Sequence, residues 1–146
     1  MINVEIQRAV EGFDIPDDEQ FRKWAAAVDA SSKQEVSIRI VDEAEITELN
    51  RMYRKKSQAT NVLAFPAEIP VEAGLPFIGD IVICAPIVAQ QAAEQGKSLL
   101  SHWAHMTLHG ILHLQGYDHI DDADAKIMEN IEVQLMSKLG FPNPYE

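Results

Sequence analysis

The run Ile81-Val-Ile-Cys-Ala-Pro-Ile-Val-Ala-Gln-Gln-Ala-Ala-Glu-Gln-Gly96 changes character in its middle. Ile81 to Cys84 is a compact apolar stretch suited to a strand. Pro86 is a favourable first-turn residue, so a helix follows and runs to about Gly96. A second helix begins near Ser98 or Ser101 and ends at Gly116, the expected C′ position. Asp121 can cap a last helix, where Asp122 and Asp124 suit its positive end. Ile127, Met128, Ile131, Leu135 and Leu139 supply the buried face of that helix, and Gly140 and Pro142 stop it.

Upstream, Val62 to Phe65 forms another apolar run, separated from Ile81 by a segment with Pro66, Pro70, Gly74 and Pro76 that reads as a mobile loop. Ile2, Val4 and Ile6 alternate with polar residues, as do Val36, Ile38 and Ile40, so each set predicts a strand with one buried face. Between them a helix follows Pro16, with Asp17 and Asp18 at its start, Phe21, Trp24, Ala25 and Val28 as its stripe, and Ser31 and Ser32 at its exit. Asp42 and Glu45 have the spacing of an N-cap and an acidic N3 residue. Ile46, Leu49 and Tyr53 then share a face of a short helix that delivers Arg54. The order predicts an α+β fold, one domain over residues 1–146 with one mixed β-sheet of about four strands covered by helices.

The chain has 146 residues and a net charge of −11. Such a charge argues against coating nucleic acid nonspecifically through counterion release. It leaves room for local cations, and Arg51, Arg54, Lys55 and Lys56 form one basic cluster, which could equally be a solvated helix end complementing the dipole. Cys84 is the only cysteine, so there is no intramolecular disulfide and no cysteine-built zinc module, and a cytoplasmic location is expected. The amino terminus lacks the basic and apolar regions of a targeting segment, and no run approaches the ~20 apolar residues of a membrane span.

The chemistry lies in His109-Gly-Ile-Leu-His113-Leu-Gln-Gly-Tyr-Asp-His119. Four residues apart on a helix, His109 and His113 share a face and can present two imidazoles to one ion. His102 and His105 extend that face. Eight helical residues rise about 12 Å, however, whereas ligand nitrogens sit about 2 Å from zinc, so His105 and His113 do not share an ion. Gly116 can turn the chain so that His119 folds back as third ligand. Three ligands leave a tetrahedral ion one position for water, whose pKa the ion lowers. The competing readings are ordinary histidines, or a closed structural site completed by Cys84. Asp118 could orient a ligand imidazole, or simply bond backbone amides near the turn. Gly110 stands where an HExxH peptidase carries its glutamate base.

These residues resemble the YbeY family, whose pattern H-G-x-L-H-L-x-G-Y-D-H is matched at every specified position from His109 to His119. Leu49-Asn50 with Tyr53-Arg54 resembles the family's L-N-x-x-Y-R segment. Thr60-Asn61-Val62-Leu63-Ala64-Phe65-Pro66 resembles T-[DN]-V-L-S-F-P, and Gly79-Asp80-Ile81 its G-D-I strand. Ser57 stands where the family often has aspartate, Ala64 where serine is usual, and Asn61 is the less acidic of two accepted residues.

The resemblance implies a single-strand-specific, metal-dependent endoribonuclease in ribosomal RNA maturation, notably at the 3′ end of the small-subunit RNA, and in ribosome quality control. It implies ribosomal small-subunit proteins and assembly factors as partners. It also matches Arg54 to the family's functional arginine, for which a phosphate clamp is the physical role. The expected metal set is His109, His113 and His119, with one divalent ion, zinc before nickel or another transition metal. Arg54 and His113 are the expected catalytic residues. A hydrolase of another substrate, or an assembly factor with a structural metal, are the competing functions.

Overall fold

The computed structural model describes residues 1–68, 73–118 and 120–146. Its elements are β1 (Ile2–Arg8), α1 (Asp18–Ala26), β2 (Gln34–Val41), α2 (Glu43–Arg54), β3 (Val62–Pro66), β4 (Phe77–Cys84), α3 (Ala85–Gln95), α4 (Leu99–Leu114) and α5 (Asp122–Lys138). The sheet has four strands in the order β1-β2-β4-β3. β1, β2 and β4 are parallel, and β3 closes one edge antiparallel to β4. The fold is therefore the α+β arrangement with one mixed sheet that the sequence predicts. Pro70 of the expected loop, with the rest of 69–72, lies outside the described residues.

β4 explains its own lack of alternation. Ile81 and Ile83 join the large core with Val36, Ile38, Ile40, Phe21, Trp103, Leu108 and Ile111. Val82 and Cys84 instead pack with Val41, Ile46 and Leu63 on the other face, beneath α2. Both faces are thus dry, and successive apolar residues are required. Cys84 is buried in that second cluster, on the face of β4 opposite Ile81, so it does not complete a site with the histidines of α4. The closed site with Cys84 as fourth ligand fails on this point.

The caps fall where short-range chemistry places them. Asp17 and Gln20 form a reciprocal capping box, and Asp42 accepts from the Glu45 N–H. Glu45 turns its carboxylate away from the cap to Arg39 of β2, at 2.5 and 3.1 Å, anchoring α2 to the sheet. Helix α1 ends at Ala26, before the expected exit at Ser31, because its last turn tightens into bonds from Ala27 to Trp24 and from Val28 to Ala25. Strand β4 starts at Phe77, four residues before the apolar run, and its Gly79 has φ +150°. A Cβ there would lie 2.4 Å from the Phe65 carbonyl, so glycine permits the close approach of β3.

Helix α4 runs through the interior, its residues from Ser101 to Leu108 all buried. Beyond Leu108 it opens on one side, where His109 and His113 are half-buried. It ends in a Schellman motif: Tyr117 N–H reaches Leu112 O, Gly116 N–H reaches His113 O, and Gly116 has φ +103°. The turn expected at Gly116 is present. In α5 the buried residues are Met128, Glu132 and Met136, whereas Ile127, expected in the stripe, is exposed. The buried face is rotated to admit a carboxylate.

Candidate active site

Between α4, the end of α2 and the edge strand β3 lies a cleft of about 470 Å³, lined by Asn50, Arg54, Lys56, Thr60, His109, His113 and Asp118 among others. Two segments far apart in sequence meet there. The structure brings Arg54, His109 and His113 into the same cleft; His119 lies outside the described residues.

One wall is the α4 face. Gly110 sits between the two histidine positions, and a Cβ there would lie 2.9 Å from Ile81 Cγ2. Ile81 is fully buried and branched at Cβ, so it has little room to yield. Glycine therefore sets how closely α4 approaches the sheet, which is a physical reason for the absence of a carboxylate at this position. Behind the histidines, Glu132 Oε1 accepts from His109 Nδ1 at 2.8 Å and from His105 Nε2 at 3.0 Å. Its Oε2 accepts from the Tyr145 hydroxyl at 2.5 Å. Burial drives the Glu132 carboxyl upward, but the bonds from His105, His109 and Tyr145 outweigh it and bring the group down to about 2. Burial, then the bond to Glu132, raises Tyr145.

Farther along α4, His102 Nε2 meets Gln91 Oε1 at 2.9 Å, and Asn61 Nδ2 donates to the same oxygen at 3.1 Å. Burial first, with His105 and Lys97 nearby, lowers His102 to about 4. His102 and His105 thus belong to buried hydrogen-bond networks.

The opposite wall is made by α2 and the chain after it. Arg54 donates from Nη2 to the Ala64 carbonyl at 2.6 Å, and its guanidinium carbon lies 5.5 Å from the Phe65 ring centre. The ring of Tyr53 packs edge-on against the same Phe65. Lys55 takes a left-handed conformation with φ 57°, turning the chain back along the cleft. Asn50, itself buried, fixes that turn: its carbonyl accepts from Lys56 N–H and its Nδ2 donates to Gln58 O at 2.9 Å. The predicted basic cluster therefore divides. Arg54 and Lys56 line the cleft, while Arg51 pairs with Glu48 in solvent.

Sequence reasoning found Arg54, His109 and His113 but missed Glu132, Tyr145 and the loop-fixing role of Asn50. The signal for Glu132 was present: a carboxylate at four-residue spacing between Met128 and Met136. Glu132 is a carboxylate that meets a cleft histidine, and Asp118, considered for that role, lines the same cleft.

Imidazoles four residues apart, lining an open cleft and backed at His109 by an anionic acceptor, have the donor chemistry that suits a divalent transition metal. The described residues contain no cluster of three or more such ligands.

Paired imidazoles facing cations across an open cleft define the class: candidate hydrolases of phosphate esters. The chain belongs to the endoribonuclease YbeY family, whose model matches residues 7–140. It is 51% identical over 148 aligned residues to the endoribonuclease YbeY of Pseudomonas putida strain W619, covering 99% of this chain and 94% of the relative. The protein of the same name from P. putida strain F1 gives the same identity and coverage. The solution structure of TM1509 from Thermotoga maritima superposes with a TM-score of 0.60 over 95% of this chain and 91% of that one, at 23% identity, and shows the shared fold.

Proposed function

We propose that this protein is a metal-dependent, single-strand-specific endoribonuclease, with His109, His113 and His119 holding one divalent ion, zinc before nickel. The observation that carries the reading is the convergence of Arg54 and Lys56 with His109 and His113 on one cleft of a strongly acidic chain. A phosphate needs cations only where it lies, and Arg54 and Lys56 put them opposite the imidazoles. A divalent ion bound there would supply Lewis-acid activation of water and neutralise charge on the phosphate.

The protein's own residues do the rest. The bond to Ala64 O holds the guanidinium plane of Arg54 and uses one of its five N–H donors, leaving others for phosphate oxygens. As negative charge grows on those oxygens, a pre-positioned guanidinium strengthens its bonds without reorganising. His113 would hold that ion as one of its ligands and so set where it meets the phosphate. An open cleft suits a flexible single strand, whose phosphates can be drawn between the walls. Gly110, packed on Ile81, leaves the glutamate position of an HExxH peptidase without a base, which disfavours peptide hydrolysis.

The substrate is ribosomal RNA, with the 3′ end of the small-subunit RNA as the processing site and ribosomal small-subunit proteins and assembly factors as partners. The setting is the cytoplasm, and no helix among the described residues is long and apolar enough to cross a membrane. The chain acts as one domain over residues 1–146.

Metal analysis of protein purified without a chelating tag, paired with cleavage of single-stranded RNA by wild type and His113→Ala, tests the reading. His113→Ala is expected to lose bound metal and to cut cleavage by about a thousandfold. Unchanged metal content and unchanged cleavage in that variant would refute it.

A further inference from the structure

Glu132 is fully buried at the stripe position of α5 where an apolar side chain would be the cheaper choice. Taking an ionised carboxylate out of water costs several kcal/mol even after relaxation, and it is ordinarily offset by a cationic partner. Among the described residues, no lysine or arginine forms an ion pair with Glu132; its contacts are two imidazole nitrogens and a phenol. Those three donors satisfy its oxygens but carry no permanent charge. The arrangement makes sense if the compensating positive charge sits on the far side of one of the imidazoles.

His109 is that imidazole. Its Nδ1 meets Glu132 at 2.8 Å while the residue lines the cleft, so one ring connects the buried anion to the open site. An ionised carboxylate only accepts, so the ring proton is fixed on Nδ1 and the lone pair on Nε2. His105 cannot take the same part. It is buried, also donates to Glu132 Oε1, and has an Nδ1 enclosed without a hydrogen-bond partner among the described residues.

The clamp on Glu132 comes from the end of the chain. Tyr145 O–H holds Oε2 at 2.5 Å, and the Tyr145 ring packs edge-on against His105 with centroids 5.3 Å apart. The tail that carries Tyr145 is itself fixed. Phe141 packs against Trp24, Asn143 Oδ1 accepts from Tyr145 N–H, and Lys97 Nζ donates to Pro144 O.

We propose that Glu132 is the positioning residue of the metal centre, setting the tautomer and ring orientation of His109, and that Tyr145 of the carboxyl-terminal tail positions Glu132. The inference rests on the reading that His109 binds the ion. It extends the centre from α4 to α5 and to the last residues of the chain, and it assigns the buried charge a task that hydrophobic packing does not perform. A change in the tail then reaches the cleft through two hydrogen bonds.

The test measures zinc affinity by chelator competition on the full chain for wild type, Glu132→Gln, Tyr145→Phe and the double variant. Circular dichroism reports folding, and nitrogen-15 NMR reports the His109 tautomer in the metal-free protein. Glu132→Gln keeps the shape and removes the charge, and should weaken zinc binding about 10- to 100-fold. Tyr145→Phe should weaken it about three- to tenfold and add nothing further in the Glu132→Gln background, because Tyr145 acts through Glu132. The metal-free wild type should carry the His109 proton on Nδ1. If Glu132→Gln does not fold, Tyr145→Phe and the wild-type tautomer decide. Zinc affinity within twofold of wild type in folded Glu132→Gln, or in Tyr145→Phe, overturns this inference alone. So does a wild-type His109 proton on Nε2. A wild type that takes up no zinc overturns it together with the metal reading.

Discussion

The two walls of the cleft are built on opposite physical plans. On the α4 side, polar side chains around the buried His102, His105 and Glu132 hold one another: His109 with Glu132, Glu132 with His105 and Tyr145, His102 with Gln91. On the α2 side, exposed cations are placed through main-chain carbonyls, Arg54 on Ala64 O and the following turn on Asn50 and Gln58 O. The first plan gives fixed geometry in a low dielectric, where a misplaced charge is expensive. The second gives charges that remain hydrated and can adjust to a mobile strand. A site that must hold an ion at about 2 Å needs the former, and one that must receive a flexible polyanion is better served by the latter.

The sharpest way to break this contrast is Arg54→Ala. It should lower cleavage of single-stranded RNA by about 10²- to 10³-fold while bound metal and thermal midpoint stay near wild type. Loss of metal in that variant would show that the walls are not separate. Next in size is an acid effect on the buried wall. His102 is held neutral, at about 4 against an ordinary 6.5, chiefly by burial. Below pH 6.5 the unfolded chain binds a proton at this site that the folded chain refuses, so its contribution to stability is complete above 6.5 and is lost as pH falls toward 4. The loss is on the order of 3 kcal/mol, and His102→Gln should flatten that part of the thermal midpoint's pH profile. An unaltered profile would remove His102 from the account.

Gly110→Ala probes the same wall by packing. The added methyl meets Ile81 at 2.9 Å, and the expected loss is about 2 kcal/mol in denaturant titration, with weaker metal binding as α4 is displaced. Full stability would mean that α4 and the sheet give way more easily than the buried contacts suggest. The smallest effect belongs to the exposed wall: Asn50→Ala leaves Gln58 O without its side-chain donor and should cost about 1 kcal/mol. Because the released turn carries Lys56, its KM for RNA should rise more than its kcat falls, and the opposite split would argue that Asn50 serves the chemistry.

Much of the fold was legible because its determinants are local. Asp17, Asp42, Ser98 and Asp121 all cap the helices they precede, and Gly116 ends α4 in the left-handed turn expected of it. Capping is decided within three or four residues, so sequence spacing carries it. The errors arose where a contact distant in sequence overrode the local pattern. Asp80 interrupts the apolar run and concealed the first half of β4, whose pairing with β2 and β3 sustains the strand through Gly79. Ile127 looked like a core residue because the α5 stripe was assumed to be wholly apolar.

The sequence alone determined the helical phase that puts His109 and His113 on one face, the left-handed turn after them, and the order of strands and helices. Each follows from backbone geometry repeated at a fixed residue interval. Only the tertiary structure decided that Arg54 shares a cleft with those histidines and that Cys84 lies across the sheet from them. It alone brought Glu132 and Tyr145 behind His109. A carboxylate in an amphipathic helix reads locally as solvent-facing. Whether it is buried depends on donors 27, 23 and 13 residues away, at His105, His109 and Tyr145, and on the packing that keeps water from the carboxylate itself.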